Sequence, residues 1–177
     1  MVQTIRNKLA DMKTLMPRLI TLIIILLLAA CHDYDDDYYE PAIDGSFKVH
    51  SYDGGNPVFI DPYVNDGVFE ISWSLRTEYP PVDVLIRLGK SRFPGSGDIV
   101  LSDRIYDSDW PEHRFRDRIG FQYTTENELF RIAEDGRHTF LEDLSQWDPY
   151  RETFYVHFDA CQRKGACYRA TERVIFW

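Results

Sequence analysis

The chain has 177 residues, 44% of them hydrophobic and 15% aromatic, enough apolar material for one packed domain and too much for a wholly disordered chain. Its 20 Lys and Arg stand against 29 Asp and Glu, a net charge of −9. The first thirty residues hold Arg6, Lys8, Lys13 and Arg18 against Asp11 alone, so the rest carries 16 basic and 28 acidic residues, a net of −12. No nucleic-acid partner is expected of so acidic a body, because such binding rests on neutralising phosphates with Lys and Arg.

The first element is an oily run. Leu19 to Leu28 is apolar except for Thr21 and follows Lys13 and Arg18. With Ala29 and Ala30 it reaches roughly 18 Å as a helix, whereas a bilayer core asks for about 20 apolar residues. A basic region, a short apolar region and small residues at the end describe a secretory signal rather than a membrane span. The run ends in Leu28-Ala29-Ala30-Cys31, which resembles the lipobox of bacterial lipoproteins. That resemblance implies cleavage before Cys31, a diacylglycerol on its thiol and a membrane partner through that lipid. It also implies an envelope location, with the outer membrane favoured because His32, not aspartate, follows the cysteine. More than one acyl chain meets the requirement for stable anchoring.

Next comes His32 to Glu40, HDYDDDYYE. Asp33, Asp35 and Asp37 have the first three spacings of an EF-hand loop, but Tyr38 stands where the loop needs glycine and Asp44 where it needs glutamate. The expectation is a solvated, self-repelling spacer with no metal. The chain thus divides into a signal peptide over 1–30, a lipidated cysteine and acidic tether over 31–44, and a folded domain over 45–177.

Within that domain the dominant period is two. Phe69, Ile71, Trp73 and Leu75 alternate with polar residues. Val82 to Leu88 and Phe154 to Ala160 repeat the pattern, which is that of half-buried strands. Shorter strand candidates are Phe47–Ser51, Ile99–Leu101, Ile119–Thr124, Leu129–Ile132 and Tyr168–Phe176. Turn signals separate them, among them Asn65-Asp66-Gly67 and Asp135-Gly136. Short strands between regular turns predict an all-β sandwich or small barrel. VFEISWSL, VDVLIRLGK and above all HTFLEDLSQWDPYRETFYVHFDA, with Leu144 at a leucine corner, resemble a fibronectin type III or related immunoglobulin-like antiparallel sandwich. Phe154 stands where that family has its corner tyrosine. The domain is also longer than the family's roughly 100 residues, with an insertion expected between Ser91 and Gly136.

Cys161 and Cys167 enclose a hairpin-like turn at Lys164-Gly165. In an exported chain such a pair is expected to form a disulfide. Zinc is the rival reading, but no second ligand pair is visible. No G-x-S-x-G, H-E-x-x-H or P-loop motif occurs. His50, His113, His138 and His157 are scattered, and His157 is expected on the solvent side of its strand. The expectation is therefore no catalytic residue, no cofactor and a non-enzymatic role.

Two features suggest binding. Arg114, Arg116 and Arg118, after His113, share one face if extended, which suits an anionic or protein partner; the same charges would also serve to blunt a sheet edge. Trp110 and Trp147 lie in loop-like settings, where tryptophan serves as a contact hot spot or sugar platform or else caps the core. Trp177 is compatible with an outer-membrane barrel, but the charged strand faces are not. The sequence-based expectation is an envelope lipoprotein that acts as an adaptor for another envelope protein. The first alternative is a carbohydrate- or peptidoglycan-binding module; the second is an enzyme with an unrecognised site.

Overall fold

The computed structural model describes residues 43–52, 54–107, 114–163 and 165–177. The expected signal peptide over 1–30, Cys31, nearly all of the expected acidic tether, Trp110 and His113 lie outside the described residues.

Alternation in the sequence becomes two stacked sheets. β1 (Ile43–Ser51), β3 (Val68–Thr77), β6 (Arg114–Tyr123), β7 (Glu128–Ile132) and β8 (His138–Asp143) form one sheet in the order β1-β3-β6-β7-β8. β2 (Val58–Ile60), β4 (Val82–Gly89), β5 (Ile99–Tyr106), β9 (Thr153–Gln162) and β10 (Cys167–Phe176) form the other, ordered β2-β10-β9-β4-β5. The expected all-β sandwich is present. Its pairings are antiparallel except that β2 runs parallel to β10.

The apolar member of each alternating pair faces inward. Ile71, Leu75, Phe115 and Phe121 of the first sheet meet Val84, Ile86, Phe154 and Phe158 of the second, all buried. Trp73 is 4% exposed, its ring centroid 5.8 Å from that of Phe158. Phe47 stacks on Phe158 at 4.8 Å, and Phe154 meets Phe176 edge-on at 5.2 Å. Each fully buried side chain of this size contributes about 1.5–3 kcal/mol through removal of its surface from water.

Several strand limits differ from expectation. β1 begins at Ile43, where Ile43 pairs with Thr77, so the sheet takes in two residues assigned to the tether. β5 and β6 are longer than their apolar stretches, because Arg104 and Asp117 fill inward positions at the open side between the sheets. The region 91–136 that was expected to hold an insertion contains β5, β6 and β7.

The expectation for His157 is corrected. It is 1% exposed, because the loop after β4 folds over the outer face of its sheet. One ring nitrogen lies 3.0 Å from the Ser91 carbonyl oxygen and the other 3.2 Å from Thr171 Oγ1. Asp98 fills the space above Gly89, where a Cβ would come within 2.3 Å of its carboxylate. Alternation assigns a residue to a face, but only tertiary contact decides whether that face is wet.

At the far end of β9 and β10, Cys161 and Cys167 are directly opposite each other in register and form a disulfide.

Candidate functional site

β6 positions the arginines. Its inward residues Phe115, Ile119, Phe121 and Tyr123 are buried, which forces Arg114, Arg116 and Arg118 together onto the exposed outer face. The register sets Arg76 beside Arg114, Ser74 beside Arg116 and Ser72 beside Arg118, with Lys48 next to Ser72. Five cations therefore share the outer face of β1, β3 and β6 with only Asp44 and Glu70 as acids, an inversion of the chain's net charge.

That face is indented. β3 runs along β6 from Arg76↔Arg114 to Val68↔Gln122, whereas β7 pairs only with Gly120 to Tyr123. Where β7 stops, a cleft of ≈ 800 Å³ opens between Glu70 and Ser72 of β3, Arg116 and Arg118 of β6, and Ile132 to Glu134. Gly120 leaves its floor without a side chain. A second hollow of ≈ 380 Å³ continues over the sheet edge and shares Arg118, Ile132 and Glu134; Arg104, Arg131 and Asp135 complete its wall.

The charges in this cleft are not all spent on one another. Arg118 Nη1 lies 3.7 Å from Glu70, too long for a strong pair. Arg104 donates to Asp117 Oδ2 at 2.6 Å, and the Tyr106 hydroxyl donates to the same oxygen at 2.5 Å. Burial, followed by that hydrogen bond to a carboxylate, pushes the Tyr106 hydroxyl well above its usual range. Arg137 holds Asp135 at 2.5 Å. Among the described residues, Arg116 and Arg131 have no acidic partner. The cleft therefore offers planar, five-donor groups to a carboxylate or phosphate.

The tryptophans fare differently. Trp147 is half-buried and stacks on Phe154 at 5.6 Å with an interplanar angle of 9°, and its carbonyl accepts from Lys90 Nζ; it caps the core. Trp110 is outside the described residues. Among the described residues no group of three or more His, Cys, Asp or Glu is placed to hold a metal. No helix among them is long and apolar enough to cross a membrane.

Sequence reasoning found the arginine face through its spacing of two. It missed Arg131, Arg104 and the cleft itself, which exist only because β7 is five residues long. It also missed a cluster of exposed aromatic rings around Arg151, gathered from segments distant in the chain. The chain matches no known family model and no curated protein.

Proposed function

We propose that this protein is a lipid-anchored bacterial envelope lipoprotein of the outer membrane, whose sandwich is a non-catalytic binding module for another envelope protein. The lipobox-like Leu28-Ala29-Ala30-Cys31 supports the anchor. The cleft beside β6 supports the binding role: it is concave and polar, and it is lined by Arg116, which has no acidic partner among the described residues, and by Arg118, which Glu70 approaches only to 3.7 Å. The cognate surface is acidic, since opposite potentials across an interface steer and orient association.

We read the scaffold as immunoglobulin-like, of the fibronectin III kind. In support, the N-terminal strands divide between both sheets, β1 beside β3 and β2 parallel to the last strand β10. Trp73 is buried on β3. The β7–β8 hairpin is then an addition that creates the step in the sheet and with it the cleft.

Two variants test the proposal. Cys31→Ser should move the protein from the membrane fraction to the soluble envelope fraction; continued membrane retention would remove the anchor. The double variant Arg116→Glu/Arg118→Glu should stay folded and anchored but fail to co-purify the partner captured by the unmodified protein from crosslinked envelopes. Equal recovery of that partner by both proteins would remove the cleft from the binding surface.

A further inference from the structure

A second cluster lies at the pole where β9 begins and β10 ends, a full strand length from the disulfide. Asp148 and Arg151 there have φ of +45° and +59°, a conformation that non-glycine residues adopt at a cost and that recurs at binding sites. The backbone is pinned in that state. Arg151 N–H donates to the Phe176 carbonyl at 2.8 Å, Glu152 N–H to Pro149 at 3.0 Å, and Trp177 N–H to Ile60 at 2.9 Å.

The result is an arginine packed against two rings on adjoining sides. Its guanidinium carbon lies 4.2 Å from the Trp177 ring centroid and 5.0 Å from that of Tyr150. The rings themselves are 6.1 Å apart and inclined by 44°. Phe59 of the neighbouring β2 meets Trp177 edge-on at 6.4 Å, and Tyr52 shares a shallow hollow with Phe59. Tyr150, Trp177 and Phe59 are 57%, 41% and 39% exposed. Among the described residues Arg151 has no acidic partner.

Contact with two rings restricts the motion of a guanidinium, while those of its five N–H donors that do not face a ring stay available to a ligand. Such a group is preorganised for a two-oxygen acceptor. Around it the rings are steeply inclined, so they offer separate faces about one cation and not a continuous apolar groove for a helix or strand. A ligand that combines apolar ring faces with carboxylates fits both halves.

We propose that this pole binds an acidic saccharide, with a sugar carboxylate in the plane of the Arg151 guanidinium and the sugar ring against Tyr150 and Trp177. The site uses none of the cleft arginines, so it stands or falls independently of the protein-partner reading.

Calorimetric titration of the full-length protein in detergent with tetragalacturonate tests it. The fully methyl-esterified tetramer and acetate serve as separate arms. Saturable binding of tetragalacturonate is expected, with the ester weaker by about ten- to a hundredfold, the scale of a lost charge-assisted hydrogen bond, and no saturation by acetate. Arg151→Gln should show the same loss, Trp177→Ala should also weaken binding, and Arg116→Glu should leave it unchanged. If Arg151→Gln does not fold, Arg151→Lys carries the test, since it keeps the charge but loses the planar fork. Absent binding of tetragalacturonate, equal binding of acid and ester, saturation by acetate with the same affinity, or a folded Arg151 variant with unchanged affinity would each overturn the proposal.

Discussion

Replacing Gly67 with alanine tests how tightly the turn before β3 is built. Asn65, Asp66 and Gly67 have φ of +51°, +54° and +65°, and Gly67 N–H donates to the Val64 carbonyl at 3.1 Å. A Cβ on Gly67 would lie 2.0 Å from the Tyr123 carbonyl oxygen and 3.1 Å from Pro62 Cα. Both are backbone atoms, so relief requires the end of β6 or the turn itself to move. Gln122 Nε2 donates to the Asp66 carbonyl at 3.0 Å, and movement of the turn disturbs that bond too. The left-handed conformation alone costs alanine about 1 kcal/mol. Overpacking of this kind adds about 1–3 kcal/mol. Gly136 separates the two terms: its φ is +77° and nothing lies within 4 Å of its Cβ position. Urea unfolding should give Gly136→Ala a loss of about 1 kcal/mol and Gly67→Ala a loss of about 2–4 kcal/mol. Equal losses would refute the close approach of this turn to Tyr123.

Three further predictions concern the sandwich. Replacing Cys161 and Cys167 together with serine removes a cross-link closing a very short loop; the chain-entropy account puts the loss at about 2 kcal/mol, measurable as a lower urea midpoint, and an unchanged midpoint contradicts it. Asp117→Ala leaves Arg104 and Tyr106 without their shared acceptor and should cost about 1–2 kcal/mol after allowance for solvent at this half-exposed edge; denaturant curves for the Tyr106→Phe/Asp117→Ala pair should show a smaller loss than the sum of the single changes. Tyr123 is buried and its hydroxyl donates to Asn127 Oδ1 at 2.5 Å; burial raises its pKa from 10.0 to about 12. A raised folded-state pKa contributes stability that is complete below pH 10.0 and lost as pH climbs through about 12. Unfolding midpoints should fall across that window, and less steeply in Tyr123→Phe; identical pH profiles would contradict the assignment.

Much of the fold was legible where one face of a strand is wholly apolar. β3, β4 and β9 have such faces because each lies inside a sheet and packs against the other. Legibility failed where the inward side reaches the open edge. There Arg104 and Asp117 satisfy each other, and the apolar alternation disappears although the strand continues. β8 has no buried residue, so period carries no information about it; only the likeness of the segment around Leu144 to a leucine corner pointed there. β2 is three residues long and depends on β10 for its pairing. The arginine face was readable because spacing of two survives any register. The cleft was not, because it follows from where β7 ends. The cluster at Arg151 draws on Phe59, Tyr150 and Trp177, which no local pattern connects.

The central claim is that the cleft beside β6 faces a specific envelope protein. A photo-crosslinking amino acid placed at Arg116 in cells, compared with one at the exposed Val100 of β5, tests it most directly. The account predicts a discrete protein adduct from position 116, lost when Arg118→Glu is added, and none from position 100. Adducts of the same pattern from both positions, or from neither, would contradict it.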